Sequence, residues 1–221
     1  MVNINCYMEN LIPKLKDSFG KRLIYVGLQG SYMRNEATDE SDIDIMTVIE
    51  DMSVDDLAVY RSVIKSMPEA ENSCGFICSK EDLQHWNRLE SFHCLNGTKD
   101  YYGVLRDLLP AYTKDDIKTF LRVSINNLYH SLCHTFVHRG DETVGKALPG
   151  LYKQTFFILQ GICALENGAF INSKAELVSL LSGTDRTILE KSIQMSSGLP
   201  CHSNEDFLLL FTWCRETMKS L

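Results

Sequence analysis

The segments typical of β-strands all lie in the first half of this chain, and this asymmetry constrains its fold more than any other feature. Short apolar segments bounded by glycine or polar residues predict strands, and apolar residues that recur at helical spacing predict helices. The predicted strands are 22–28, 41–49 and 75–78, and the helices predicted beside them are 5–19, 53–67 and 79–86. We therefore expect a mixed α/β arrangement in this half.

After Pro110 only helical patterns remain. The predicted helices are 115–138, 151–166, 174–181, 184–195 and 204–219. Pro149 is expected to open the second of these, because proline is favoured in the first turn of a helix. We therefore predict an α+β protein, with a mixed-sheet domain over residues 1–110 followed by a helical bundle over residues 111–221.

The charge balance argues against one large class of partners. The chain of 221 residues holds 22 Lys and Arg against 29 Asp and Glu, which gives a net charge of -7. A basic surface supplies most of the affinity for a nucleic acid backbone, so we do not expect a nucleic acid partner. No apolar run approaches the roughly 20 residues that a membrane span needs, and the N-terminus lacks the pattern of a signal peptide. We therefore expect no membrane partner and a cytoplasmic location.

One motif, Asp42-Ile43-Asp44, indicates a metal-dependent catalytic function. Asp42 and Asp44 lie two residues apart on a predicted strand, so their side chains should point to the same face. Two neighbouring carboxylates repel each other unless a cation lies against them. Their hard oxygen ligands suit Mg²⁺ rather than a soft metal.

Gly30 and Ser31 stand in a turn after the preceding strand. Glycine lets the backbone approach a phosphate closely, and a serine hydroxyl adds a donor. A phosphate-binding turn beside a pair of metal-binding carboxylates describes a centre for nucleotidyl transfer. The alternative is an acidic surface without catalytic function.

These residues resemble the DNA polymerase beta-type nucleotidyltransferase superfamily, whose signature is an apolar strand, Gly-Ser, a spacer and Asp-x-Asp. The matching segments are Gly30-Ser31-Tyr32-Met33-Arg34 and Ser41-Asp42-Ile43-Asp44-Ile45. They look most like the bacterial small nucleotidyltransferases, which include aminoglycoside and lincosamide adenylyltransferases and minimal enzymes paired with HEPN proteins. More loosely, the second half resembles the HEPN-like helical domain of the antibiotic enzymes, through Tyr152-Lys153, Asn167-Gly168 and Ser173-Lys174.

The resemblance implies an enzyme that uses Mg²⁺ and ATP to transfer AMP to a hydroxyl of a small molecule, such as an aminoglycoside-like antibiotic. Asp42 and Asp44 would be the catalytic, metal-binding residues, and Gly30 and Ser31 would hold the triphosphate, with the substrate between the two domains. Arg34 would contact phosphate or pair with the acidic loop. Lys153 would reach the triphosphate or extend into solvent. A homodimer is one assembly that such a chain could form.

The sequence departs from the family pattern in one respect. The family usually places a third carboxylate on a later strand, as a metal ligand or as the base for the attacking hydroxyl. The predicted third strand contains no acid. The weak candidates nearby are Glu71, Glu81, Asp82 and Glu90. The alternative function is therefore a nucleotide-binding member of the same fold that is non-catalytic or modifies proteins, like an antitoxin.

Overall fold

The structure is a computed structural model that describes residues 2–139, 141–198 and 203–221. The chain divides into two compact units, Met1–Ala111 and Tyr112–Leu221. The first unit contains the sheet, and the second unit is helical within the described residues. The predicted fold class, a mixed sheet followed by a set of helices, is confirmed.

The first unit is built on a mixed sheet. Its strands are β1 (Leu23–Leu28), β2 (Ile43–Ile49), β3 (Ser73–Ser79) and β4 (Lys99–Tyr102), and their order across the sheet is β3-β2-β1-β4. Its helices are α1 (Ile4–Phe19), α2 (Gly30–Met33), α3 (Val54–Lys65), α4 (Lys80–Gln84) and α5 (Arg88–Asn96). β1 runs antiparallel to both β2 and β4, whereas β2 and β3 run parallel.

The two faces of this sheet pack into different apolar clusters. The first cluster joins β2 to α1 and α3 through Ile43, Ile45, Ile49, Leu11, Leu15, Val63 and Met67. The second joins the opposite face of β2 to α4 and to the segment after β4 through Met46, Val48, Leu83, Leu105 and Leu108. Each such side chain contributes about 1.5–3 kcal/mol on burial. Because successive side chains of β2 enter one cluster or the other, only the β2 residues outside both clusters can face solvent.

Side chains fix the beginnings of two helices that follow strands. Ser53 accepts from the backbone N–H of Asp56 at the start of α3, and Ser79 does the same for Asp82 at the start of α4. In both helices the aspartate accepts in return from the backbone N–H of the serine, which satisfies two donors that a helix terminus leaves unpaired. Because Ser79 is also the last residue of β3, that strand passes into α4 without a loop.

The second unit consists of long helices. They are α6 (Lys114–Arg139), α7 (Asp141–Asn167), α8 (Lys174–Leu180), α9 (Gly183–Ser196) and α10 (Ser203–Ser220). The Tyr152 hydroxyl is fully buried and donates to the carbonyl oxygen of Asp206 at 2.8 Å, which ties α7 to α10. Trp213 is buried in the same unit and donates to Asp185.

The beginning of α7 corrects one expectation. Pro149 was expected to open this helix, but it lies inside α7, which already begins at Asp141. A proline in a helix interior removes one backbone hydrogen bond and costs about 3 kcal/mol. The fully buried Leu148 and the buried Leu151 flank it, so the packing of this stretch outweighs that cost.

Within the three described ranges, no helix has both the length and the apolar character needed to cross a membrane.

Candidate active site

β1 ends in a bend that rests directly against the first residues of β2. The Gln29 backbone N–H donates to the carbonyl oxygen of Asp44 at 2.8 Å. Gly30 follows with a φ of +67°, and a β carbon at this position would lie 2.8 Å from Asp44 Cγ and still closer to Oδ2. Only glycine fits both this backbone conformation and this close approach. The two halves of the sequence motif are therefore adjacent in space.

Asp42 and Asp44 lie where β2 begins, on one side of the sheet. Ile43 and Ile45 are fully buried on the other side, whereas Asp42 is exposed and Asp44 is half-buried. The face that carries the two carboxylates continues into the buried Met46. This face is therefore polar and accessible at the start of β2 and apolar beyond it.

A hydrogen-bonded chain holds the bend in place. The Gln29 side-chain amide donates to Thr98 Oγ1 at 2.8 Å, and the Thr98 hydroxyl donates to the carbonyl oxygen of Cys94 at 2.6 Å. These bonds connect the end of β1 to α5 and to the residue before β4. The position of Gly30 beside Asp44 is therefore held both by the backbone hydrogen bond from Gln29 to Asp44 and by the side-chain bonds through Thr98.

Residues 8–85 match the family model of the nucleotidyltransferase domain, and this range contains the bend and both carboxylates. The chain carries a nucleotidyltransferase domain. Its fold is similar to that of spectinomycin adenyltransferase AAD(9) from Enterococcus faecialis, solved with ATP and spectinomycin, with a TM-score of 0.63. This match covers 97% of this chain and 99% of that chain at 13% identity.

A toxin-antitoxin structure with AMP-PNP gives a weaker match, with a TM-score of 0.35 and 19% identity over 58% of this chain and 91% of that chain. No curated protein matches the chain by sequence. At 13% identity the likeness to the spectinomycin enzyme concerns the fold alone. The residues of the nucleotidyltransferase domain must therefore be judged by their own geometry.

The strand beside the two carboxylates carries a thiol in place of an acid. β3 runs parallel to β2, and Cys74 pairs in register with Asp44, so both side chains point to the same face. Cys74 is exposed, and β3 contains neither Asp nor Glu. The nucleotidyltransferase domain thus presents a cysteine next to Asp44, where the resemblance leads us to look for the third carboxylate.

The acids that follow β3 lie far from the bend. β3 pairs with β2 up to Ser79 and Ile49, five residues beyond Asp44, which amounts to about 16 Å along the strand. Glu81 and Asp82 follow at this far end. Hydrogen bonds from Ser79 hold the Asp82 carboxylate in the helix cap and lower its pKa.

Two further acids differ in their position. Glu90 accepts a hydrogen bond from Trp86 Nε1 at 2.9 Å on α5. Glu71 is exposed in the 3₁₀ turn Ala70–Asn72, just before β3 begins. Because β2 and β3 run parallel, Glu71 lies at the same end of the sheet as Asp42. Of the predicted acids, Glu71 has the position most compatible with a role beside Asp42 and Asp44.

Sequence reasoning missed another carboxylate on the same face. Asp100 of β4 pairs with Gly27 of β1, and Gly27 pairs on its other side with Met46 of β2. Asp100 therefore points to the face that carries Asp44, and it accepts a hydrogen bond from the Tyr25 hydroxyl at 2.6 Å. Burial, and next the bond to Asp100, raise the pKa of Tyr25, so this phenol stays a donor. The alternation in β1 was visible in the sequence, but the pairing of β4 with β1 was not.

The two predicted cationic residues lie in different units. Arg34 follows α2 and pairs with Glu36, with 3.1 Å between Nε and Oε2. This contact agrees with the expected salt bridge to the acidic loop, and a phosphate contact of Arg34 stays a prediction. Lys153 is exposed on α7 in the second unit, and its contact with a triphosphate also stays a prediction.

Proposed function

We propose that this protein is a Mg²⁺-dependent nucleotidyltransferase that transfers AMP from ATP to a hydroxyl group of a small-molecule acceptor such as an aminoglycoside-like antibiotic. The observation that supports this most strongly is the contact between Gly30 and Asp44, because it brings the bend proposed to bind phosphate against a carboxylate proposed to bind the metal. The family match over residues 8–85 supports the type of reaction.

The residues at this face fit a magnesium ion. Asp42 and Asp44 offer only oxygen donors, and Mg²⁺ in phosphate-transfer sites commonly uses one or two carboxylates together with waters and substrate phosphates. Within the described residues no group of three or more His, Cys, Asp or Glu is arranged to hold an ion by itself, so the phosphates would complete the coordination. The bound ion would neutralise charge on the phosphates.

The protein's own groups would position the nucleotide. The first N–H groups of α2 precede its intrahelical bonds, so the amides at Gly30 and Ser31 are directed away from the helix. Together with the Ser31 hydroxyl they would donate to phosphate oxygens. The acceptor hydroxyl would attack the α-phosphorus, the bond to the β-phosphate oxygen would break, and pyrophosphate would leave.

The proton of the acceptor hydroxyl needs a base. Glu71 and Asp100 are the carboxylates whose position in the fold is compatible with this role, on opposite sides of the pair Asp42 and Asp44. Removing a general base typically slows such a reaction by about 10²–10⁴-fold. The carboxylate whose replacement by its amide causes a loss of that size, while ATP binding is retained, would be the base.

The proposal is tested by a transfer assay. The protein is incubated with Mg²⁺, ATP labelled at the α-phosphate and a panel of hydroxylated acceptors that begins with spectinomycin and aminoglycosides. We expect a labelled acceptor with the wild type and none with Asp42→Asn. Asp55→Asn is the matched control, because Asp55 is an exposed acid on α3 outside the motif. No transfer to any acceptor, or equal transfer by the two variants, would contradict the proposal.

One observation favours a second function. Cys74 stands beside Asp44 where a third carboxylate was expected, which supports a nucleotide-binding protein of this fold without turnover, or one that modifies a protein hydroxyl. The two functions differ in a direct measurement. A shift in melting temperature with MgATP that Asp42→Asn abolishes, together with no labelled small molecule, would favour the second function. Label transferred to a protein side chain would favour its protein-modifying form.

A further inference from the structure

A cavity lies between α3 and β3, chiefly on the face of the sheet opposite to Asp42 and Asp44. It has a volume of about 500 Å³, and we call it the β3 groove. On β3 it is lined by Gly75, Phe76 and Ile77, and Asp42, Asp44 and Cys74 are not among its lining residues. Gly75 and Ile77 pair with Ile45 and Thr47, whose side chains face away from the Asp44 side of the sheet. The β3 groove is therefore separate from the candidate active site.

β3 is an edge strand without the usual protection. It has seven residues, none of them charged and none of them proline, and its outer side has no partner strand among the described residues. Edge strands commonly avoid unwanted pairing through shortness, charge or proline. The opposite edge, β4, follows this rule because it has four residues and begins with Lys99 and Asp100. The contrast indicates that the outer side of β3 is kept free for a partner.

The opposite wall of the β3 groove combines apolar surface with positive charge. α3 contributes Leu57, Tyr60 and Ile64 together with Arg61 and Lys65. Arg61 and Lys65 are exposed and spaced four residues apart, so they lie on one side of α3. No ion pair joins either of them to another residue of the described chain. The charged residues among those that line the groove are these two cations, which favour a negatively charged occupant.

We propose that the β3 groove binds an extended acidic segment of another protein, which adds to β3 as a further strand. The backbone of such a segment would pair with the open edge of β3. On its inward side, apolar side chains would enter the space between Ile64 and Ile77, and carboxylates beside them would meet Arg61 and Lys65. This mode of recognition gives affinity through main-chain hydrogen bonds and selectivity through the groove.

A second copy of this chain is a poorer occupant. If two β3 strands paired antiparallel about a twofold axis, each α3 would lie beside the same interface. Arg61 and Lys65 of one copy would then approach their equivalents in the other, and like charges that meet in an interface are unfavourable. The carboxylates of an acidic segment would instead attract Arg61 and Lys65. The observations therefore favour a different, acidic chain.

A labelled peptide tests this inference on the full protein. The probe is a fluorescein-labelled peptide with the length of β3 in which Thr occupies every second position and Val and Glu alternate at the positions between, so that Val and Glu share one face of the strand. Its comparison peptide has Lys in place of Glu. We expect at least about tenfold tighter binding of the Glu peptide, with an affinity that falls as salt is added, because exposed charge pairs are screened. Amide exchange measured by NMR should slow in β3 and not in β4.

A charge reversal tests the two cations. Arg61→Glu/Lys65→Glu should weaken binding of the Glu peptide by about tenfold or more. Arg88→Glu/Lys118→Glu, which changes the net charge equally at exposed positions elsewhere, should leave it unchanged. Circular dichroism establishes that both variants fold, and binding of MgATP is measured in parallel, because the inference does not depend on the transfer reaction.

Three results would overturn the inference. The first is equal binding, or no binding, of the two peptides by the wild type. The second is a reversal at Arg61 and Lys65 that has no more effect than its control. The third is a dimer in solution in which exchange of the β3 amides is already slow without peptide.

Discussion

Replacing Gly30 by alanine tests the contact on which the proposed site depends. Gly30 has a φ of +67°, which alone costs an alanine about 1–2 kcal/mol. The new β carbon would also lie 2.8 Å from Asp44 Cγ, and overpacking of this kind typically costs about 1–3 kcal/mol. We therefore expect Gly30→Ala to lower the free energy of unfolding of the first unit by about 2–5 kcal/mol.

Two comparisons separate these contributions. Gly20 has a φ of +57° and a ψ of −130°, and no atom lies within 4 Å of its own β-carbon position, so Gly20→Ala should carry only a backbone cost, about 1–3 kcal/mol. In an Asp44→Ala background the contacts with Oδ2 and Cγ are gone and the contact with the β carbon at 3.2 Å remains, so Gly30→Ala should cost little more than its backbone strain of about 1–2 kcal/mol. The coupling energy between positions 30 and 44 is then about 1–3 kcal/mol.

The measurement is urea unfolding followed by tryptophan fluorescence. The chain has two tryptophans, Trp86 in the first unit and Trp213 in the second. A Trp213→Phe background therefore leaves Trp86 as the reporter of the unit that contains Gly30. If Gly30→Ala costs as much in the Asp44→Ala background as in the wild type, the bend does not rest on Asp44 and the geometric basis of the proposed site is lost.

Two further predictions concern titration and reactivity. Burial lowers the pKa of His93 from 6.5 to about 4, so the folded protein favours the neutral imidazole. This contribution to stability, about 3 kcal/mol, is fully present above pH 6.5 and is lost as the pH falls towards 4. His93→Gln should therefore flatten the change in urea midpoint over this range, and an unchanged slope would refute the assignment. Burial raises the pKa of the Cys78 thiol to about 12, whereas Cys6 and Cys74 are exposed, so iodoacetamide should label Cys6 and Cys74 before Cys78. MgATP should slow labelling of Cys74, which is adjacent to Asp44, and leave Cys6 unaffected, as read by peptide mass mapping; equal protection of both would contradict this.

The sequence predicted the elements whose residues alternate or repeat strongly. β1, β2 and β3 were expected within one or two residues of their observed bounds, because their apolar residues are bounded by polar or glycine positions. β4 was not predicted, since its four residues include two charges and it is recognisable only by its pairing with β1. Short edge strands depend on their partner more than on their own composition.

The candidate site was predictable as a motif and incomplete as a set of residues. The distance along the chain between Gly30 and Asp44 indicated two neighbouring strands, and the structure places them in contact. The roles of Glu81 and Asp82 depended on the direction of β3, which spacing does not reveal. No sequence pattern pointed to Asp100, because a charged residue between Lys99 and Tyr101 is typical of a protein surface.

The contact between Gly30 and Asp44 also bears on how this chain can evolve. A substitution that adds any side chain at position 30 displaces the carboxylate, and a larger residue at position 44 obstructs the bend. A substitution at either position alone would disturb the other residue, so the two residues should be conserved together. Relatives that have lost the aspartate should be the ones in which the glycine is constrained by its backbone conformation alone.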